Sequence, residues 1–271
     1  MFWKRAISAI ILIPVIILLV WWGGYPYAAS IVLVSSLMLI EFWGLSQSIG
    51  VKAGRTITIV CGILFCLSAV GSIGFKIPVE LPLALALLLP FSYQIFRDQF
   101  NLAYLSVTST LLGAIYIGWA FGHHLILLRD ISGAGRGLLF FLLVTIWIGD
   151  TAAYLFGRWF GTHKLRPTIS PGKTIEGTIA GLVFGALGGL GVWSFFLKDI
   201  LSFPHALILG VLLGIVGQLA DLSESILKRS AEVKDSGNLI PGHGGLLDRC
   251  DSLIFSAPVL YYYFVYLVNS T

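Results

Sequence analysis

Four side chains near the C-terminus have the types and spacing needed to bind a charged ligand. They occur at positions i, i+3, i+4 and i+7, and they are Asp221, Glu224, Ser225 and Lys228. Residues at this spacing share one face of a helix. Ionisable groups at the end of an apolar run are costly there, so they indicate function by default.

A second set of polar residues repeats the pattern 27 positions later. It comprises Asp248, Asp251 and Ser252 at i, i+3 and i+4. Carboxylates near a membrane boundary are suited to Mg²⁺, which binds one or two of them together with substrate phosphates. The alternative is structural, with Asp221 forming an ion pair with Lys228 or Arg249.

The segment between these two sets is basic and rich in glycine. It contains Lys228, Arg229, Lys234, Asp235, His243, Gly244, Gly245 and Arg249. Glycines allow backbone N–H groups to approach an anion, and Lys and Arg donate charge-assisted hydrogen bonds to phosphate. The segment therefore predicts a phosphate site, although a basic loop that contacts anionic lipid headgroups is the alternative.

A third polar segment, residues 170–177, reads Ser-Pro-Gly-Lys-Thr-Ile-Glu-Gly. We expect Ser170 to end the loop before a helix, with Pro171 just inside that helix. The helix N-terminus would then bind an anion, with Lys173 adding a positive charge. Simple capping of the helix is the alternative.

The elements that carry these residues are predicted from composition. The chain has 271 residues, of which 57% are hydrophobic and 11% charged, and its mean hydropathy is +0.93. A soluble domain carries about 25% charged residues. The composition therefore excludes an ordinary soluble protein and predicts an all-α, polytopic integral membrane protein with polar cytoplasmic loops.

Uncharged runs long enough for a helix predict about nine transmembrane helices. The first run, 6–40, is divided in two by the turn at residues 23–26, and the others are 56–75, 81–96, 99–128, 137–157 (apolar except for Asp150), 177–197, 200–220 and 252–271. We read the first as a retained helix rather than a signal peptide. Residues 1–140 are predicted to be an N-terminal membrane-spanning region and 141–271 a C-terminal membrane-spanning catalytic region.

Two features of these runs bear on packing. Gly177, Gly181, Gly185 and Gly189 recur every four residues, which predicts a ridge for close helix contact. Glu41 is an acid within an apolar run, and its role is not evident from the sequence. The three cysteines have no spacing typical of a disulfide framework or a zinc site.

The basic residues predict the orientation. With the N-terminus inside, 13 of the 17 Lys and Arg residues fall on the inner side, as the positive-inside rule requires. This places the two long polar loops, 158–175 and 228–249, on the same side, which we expect to be the cytoplasm.

Residues 225–251 resemble the signature of the phosphatidate cytidylyltransferase family. The shared pattern is a serine, Lys-Arg, Lys-Asp, a hydrophobic-Pro pair, His-Gly-Gly and Asp-Arg-x-Asp. Residues 170–177 resemble a second family segment, and 150–158 resemble the approach to it. Cys250 departs from the pattern, since the family usually has an aliphatic residue or Thr there. The resemblance covers about 146–256.

The resemblance implies a nucleotidyltransferase of phospholipid biosynthesis that makes CDP-diacylglycerol. The implied catalytic residues are Asp221, Asp248, Asp251, Lys228, Arg229 and Arg249, with the three aspartates binding Mg²⁺ and a second cation conceivable. The implied substrate-binding residues are Ser170, Lys173, Ser225, Lys234, Asp235, His243, Gly244 and Gly245. The implied partners are CTP, phosphatidic acid, membrane lipids and a second copy in a homodimer, without nucleic acid, in the cell inner membrane.

Three other functions remain open on the sequence. An ion or proton transporter would use acids spread through the membrane, a CTP-dependent polyprenol kinase would release CDP, and a membrane scaffold would have no activity. The clustering of the acids beside a basic, glycine-rich loop favours an enzyme over a transporter.

Overall fold

The computed structural model describes residues 2–71, 77–97, 100–237, 239 and 244–268, with side chains from residue 12 onwards. Helices dominate this part of the chain. They are α1 (Phe2–Trp22), α2 (Gly24–Ser48), α3 (Arg55–Ser68), α4 (Glu80–Arg97), α5 (Ala103–Gly113), α6 (His124–Asp130), α7 (Gly135–Phe160), α8 (Ile175–Phe196), α9 (Phe203–Ser230) and α10 (Leu247–Tyr263). A π-helical segment, Ala114–His123, joins α5 to α6, and another, Phe264–Val268, extends α10.

Six of these helical segments are long and apolar enough to cross a membrane. They are Gly24–Ser48, Ala103–Asp130, Gly135–Phe160, Ile175–Phe196, Phe203–Ser230 and Leu247–Val268. Two further apolar helices, Leu12–Trp22 and Arg55–Ser68, are shorter. The prediction of a helical, multi-pass membrane protein is confirmed.

The break between the first two helices is at the predicted place. Gly23 separates α1 from α2 and has a φ of 67°, a left-handed conformation that favours glycine. Trp21 and Trp22, at the end of α1, are 49% and 73% exposed. Tryptophans are enriched at membrane–water interfaces, so this end of α1 is suited to that boundary.

The chain divides into two compact units. The first contains residues 1–127 and 227–250. Its helices α2, α3 and α4 pack with the segment that begins at Ala103, around a core that includes Cys61, Phe65 and Ala114. The loop after α9 belongs to this unit and is hydrogen-bonded to α2.

The second unit contains residues 128–226 and 251–271. Its central contact is between α7 and α8. A Cβ placed at Gly177 would lie 2.5 Å from the Ala153 carbonyl oxygen, and one at Gly185 would lie 2.8 Å from the Thr145 carbonyl oxygen. No larger residue fits without moving the helices apart, so the predicted glycine ridge is confirmed.

This packing supports a stability prediction. We expect Gly185→Leu to destabilise the second unit by about 1–3 kcal/mol, because the added side chain overpacks a helix contact. The thermal midpoint in detergent should fall accordingly. Gly191 on the same helix is the control, since nothing lies within 4 Å of its Cβ position. Equal midpoints for Gly185→Leu and Gly191→Leu would contradict the packing role of the ridge.

Candidate active site

The first cluster of predicted site residues is centred on Asp248, in the first turn of α10. The Lys228 Nζ lies 2.6 Å from Asp248 Oδ1, and the two side chains are only 13% and 10% exposed. Asp248 Oδ2 accepts hydrogen bonds from Ser236 N at 2.9 Å, Ser236 Oγ at 3.0 Å and Gly245 N at 2.8 Å. We call these four residues, Lys228, Ser236, Gly245 and Asp248, the Asp248 cluster.

The donors of the Asp248 cluster all favour the ionised carboxylate. An ammonium and backbone N–H groups bind a carboxylate most strongly when it is charged. Four hydrogen bonds also leave Asp248 little freedom to rotate. The cluster therefore presents one oriented, negatively charged group beside one buried positive charge.

The glycines of the loop are explained by their closeness to Asp248. Gly244 has a φ of 79°, and a Cβ there would lie 2.9 Å from Asp248 Oδ2. A Cβ at Gly245 would overlap Ser236 Oγ. The N–H of Gly245 donates to Asp248 and is therefore engaged within the protein, so this glycine shapes the loop around a carboxylate.

The second cluster joins α9 to a short hairpin. Lys173 Nζ lies 2.6 Å from Asp221 Oδ2, with the side chains 23% and 31% exposed. Ser225 Oγ donates to Asp221 Oδ1 at 3.5 Å, one helical turn along α9. Asp150, on α7, interacts electrostatically with both Asp221 and Lys173. We call Asp150, Lys173, Asp221 and Ser225 the Asp221 cluster.

Lys173 is positioned by a strand and not by a helix N-terminus. Strand β1 (Lys164–Arg166) pairs antiparallel with β2 (Ser170–Thr174). The prediction that Ser170 ends the loop and Pro171 begins the helix is wrong. Helix α8 begins at Ile175, and the Thr174 side chain caps it by accepting from Gly177 N at 3.2 Å.

The hairpin was not foreseen because so short a strand has no readable period. Ser170 lies opposite Arg166 in the register. Thr162 and His163, before the hairpin, are bound by the carboxylate of Glu176 in the first turn of α8. These contacts hold both ends of the hairpin beside α8, and thereby direct Lys173 toward α9.

The sequence left open whether Asp221 forms an ion pair, and the structure gives it a partner on the hairpin. Asp221 pairs with Lys173, and Lys228 pairs with Asp248. The expected alignment on one face of α9 is seen for Asp221 and Ser225. Asp221 and Asp248 are thus each paired with a lysine from a different element.

The remaining predicted residues differ in environment. Arg229 Nη1 donates to the Val233 carbonyl at 3.3 Å, whereas Lys234, Asp235 and Arg249 are exposed. Asp251 is 9% exposed, and its Oδ1 accepts from Ser252 N at 2.6 Å and from Ser252 Oγ at 3.3 Å. His243 lies outside the described residues.

The donor chemistry fits Mg²⁺. Asp221 and Asp251 offer hard oxygen donors, and Ser225 adds a hydroxyl. Asp221 has the Lys173 ammonium at 2.6 Å, and Asp248 has the Lys228 ammonium at 2.6 Å. Each carboxylate therefore already accommodates a cation. Within the described residues, no group of three or more His, Cys, Asp or Glu could hold a metal by itself. Mg²⁺ does not require one, because substrate phosphates complete its coordination.

Sequence reasoning assigned no role to two residues that contact this site. Ser236 donates to Asp248, and Glu41 on α2 accepts from the backbone of Leu246 and Leu247. The signal for Glu41 was present, since an acid within an apolar run is costly. Its partner could not be read from the sequence because the two lie about 200 positions apart.

Comparisons with known proteins place the chain among named relatives. The model of the cytidylyltransferase family matches residues 3–267. A protein of Synechocystis named phosphatidate cytidylyltransferase is 35% identical over 297 residues, covering 98% of this chain and 97% of that protein. Proteins of the same name from Bacillus subtilis and Staphylococcus haemolyticus are 44% and 40% identical, covering 56% and 60% of this chain and 55% and 60% of their own lengths.

Proposed function

Because the chain belongs to the cytidylyltransferase family, we propose that it transfers the cytidylyl group of CTP to phosphatidic acid. The products are CDP-diacylglycerol, a precursor in phospholipid biosynthesis, and pyrophosphate. The observation that carries the proposal is the pair of lysine–carboxylate clusters within the matched region. Each combines a cation for phosphate with a carboxylate for a metal ion.

The chemistry follows from the charges of the substrates. A phosphate oxygen of the lipid attacks the α-phosphorus of CTP and forms a new P–O bond. The bond from that phosphorus to the bridging oxygen breaks, and pyrophosphate leaves with its electrons. The nucleophile is already anionic, so the obstacle is bringing two anions together. Catalysis should therefore depend on positioning and charge neutralisation.

Basic side chains are proposed to neutralise the phosphates. These are Lys173, Lys228, Arg229, Lys234 and Arg249. Lys173 and Lys228 are ready for this role because a carboxylate orients each of them at 2.6 Å. We propose that Ser170 and Ser225 contact substrate, that His243, Gly244 and Gly245 shape the nucleotide pocket, and that Asp235 orients a lysine or contacts the base or ribose.

Asp221, Asp248 and Asp251 are proposed to bind Mg²⁺, and a second cation is compatible with so many carboxylates. When bound, the metal would screen the charge on the phosphate oxygens. Two observations support metal binding: the three side chains offer oxygen donors, and the ammonium groups of Lys173 and Lys228 already lie against Asp221 and Asp248. Glu80 and Asp199, by contrast, are exposed carboxylates at which no cation is proposed.

The membrane arrangement is also a proposal. Nine membrane crossings would be formed by α1 to α4, the segment Ala103–Asp130, and α7 to α10. With the N-terminus inside, the basic loops would meet cytoplasmic CTP, and the bacterial relatives support the inner membrane. Residues 141–271 would form the catalytic region, residues 1–140 the N-terminal membrane region, and two copies a homodimer.

The test uses purified protein in detergent with phosphatidic acid and CTP labelled at the α-phosphate. We expect label to enter the lipid fraction only when Mg²⁺ is present, with one pyrophosphate released per lipid labelled. CTP labelled at the γ-phosphate is the matched control and should leave the lipid unlabelled. Label transfer from the γ-phosphate with release of CDP would instead identify a kinase, and transfer without any divalent ion would contradict the metal proposal.

A further inference from the structure

A carboxylate from the N-terminal half of the chain binds the loop of the site directly. Glu41, on α2, accepts hydrogen bonds from Leu246 N at 2.9 Å through Oε1 and from Leu247 N at 2.8 Å through Oε2. Oε2 also lies 3.2 Å from the donor Ser236 Oγ. A single carboxylate thus binds the backbone at Leu246 and Leu247 and lies within hydrogen-bonding distance of Ser236.

The two backbone groups bound by Glu41 lie at the start of α10, which begins at Leu247. The first N–H groups of a helix have no partner within the helix and need an acceptor from elsewhere. A carboxylate is the most favourable acceptor there, because its charge also complements the helix dipole. Glu41 therefore acts as an N-terminal cap supplied from another helix.

Packing around Glu41 shows that its place is specific. A Cβ at Gly237 would lie 2.7 Å from Glu41 Oε1, and one at Gly245 would lie 2.6 Å from Glu41 Oε2. A side chain at either position would require Glu41 to move, and at Gly245 it would also meet Ser236 and the Gly237 backbone. The loop and the carboxylate fit each other, which a chance surface contact would not require.

Ser236 connects Glu41 to Asp248. Its Oγ lies 3.0 Å from Asp248 Oδ2 and 3.2 Å from Glu41 Oε2. A serine hydroxyl has one proton, so it donates to one carboxylate at a time. Glu41 binds the backbone of Leu246 and Leu247, and the neighbouring Gly245 and Ser236 bind Asp248. Because these residues belong to one loop, the orientation of Asp248 depends on Glu41 through the loop backbone.

We propose that Glu41 is a positioning residue for cytidylyl transfer, which caps α10 and fixes the loop that orients Asp248. The expected effect of Glu41 on the reaction rate rests on the proposed function. Its expected effect on the loop rests on the hydrogen bonds alone. Small displacements of a reacting group cost about 10²-fold in rate. Loosening this cap should therefore lower turnover more than it lowers substrate binding.

The test is Glu41→Gln, which keeps the size of the side chain but places an NH₂ group opposite a backbone N–H. We expect kcat per folded protein to fall about 10- to 100-fold, while KM for CTP changes by less than about threefold. Amide hydrogen exchange over residues 244–248 should become about tenfold faster. Glu80→Gln is the matched control, because Glu80 is an exposed carboxylate of the same unit.

Each outcome decides the inference. A kcat per folded protein within twofold of the parent, even with less folded protein, would assign Glu41 a structural role only and overturn the proposal. Unchanged exchange at 244–248 would also overturn it. If the parent protein transfers no cytidylyl group, the proposed function fails, and exchange still decides whether Glu41 holds the loop. Should Glu41→Gln not fold, Glu41→Asp is measured in the same way, with an intermediate loss expected.

Discussion

Replacing Asp248 by Asn is expected to reduce kcat for cytidylyl transfer by about 10²- to 10³-fold, the size of effect seen when a charge-stabilising group is lost. The substitution removes the negative charge that faces Lys228 at 2.6 Å. It also places an NH₂ group against donors, because Ser236 and Gly245 both donate to this side chain. Steady-state kinetics at saturating CTP, over a range of Mg²⁺ concentrations, would measure the loss.

Loss of fold must be separated from loss of chemistry in this experiment. Breaking a buried ion pair by removing one of its charges destabilises a protein by about 3–5 kcal/mol, so Asp248→Asn should also lower the thermal midpoint. The double variant Lys228→Met, Asp248→Asn removes both charges and should recover part of the lost stability without recovering activity. Asp199→Asn, at an exposed carboxylate, is the control. Full activity of Asp248→Asn with unchanged Mg²⁺ dependence would exclude Asp248 as a metal ligand.

Lys173→Met is expected to lower kcat/KM for CTP by about 10²-fold while changing stability by less than about 1 kcal/mol. The Lys173–Asp221 pair is 23% and 31% exposed, and ion pairs with access to water contribute little to stability. A positive charge placed at a phosphate acts mainly in the transition state. Stability and activity should thus respond very differently here, in contrast to Asp248→Asn.

The control for Lys173→Met is Lys198→Met, since Lys198 is exposed and lies outside both clusters. A double-mutant cycle with Asp221→Asn separates two roles of the pair. If Lys173 serves only to neutralise Asp221, the double variant should be more active than Lys173→Met alone. Activity of Lys173→Met within threefold of the parent would contradict its proposed contact with phosphate.

Much of the fold was predictable because membrane burial follows composition. Apolar runs of about 20 residues have no other stable environment, so the helices appear where the runs are. Gly23 ends α1 at the expected turn, and the glycine ridge packs against α7 as its period requires. The count of nine crossings stays a prediction, since α1, α3 and α4 are not among the six segments that satisfy length and hydropathy.

The sequence by itself determined which residues could do chemistry, through their types and their spacing on α9 and α10. It could not determine their partners. Lys173 was expected to add a positive charge at a helix N-terminus, but it lies on β2, which pairs with β1, and it forms an ion pair with Asp221. Lys228 lies on α9, and the structure pairs it with Asp248 on α10.

Only the tertiary structure decided the role of Glu41. A carboxylate in an apolar helix must find donors, yet any exposed N–H group along the chain could have supplied them. The donors proved to be Leu246 and Leu247, more than 200 residues away. Periodicity reports only the environment of a residue and its neighbours on one element. Pairing between distant elements depends on how the helices pack, which no local pattern records.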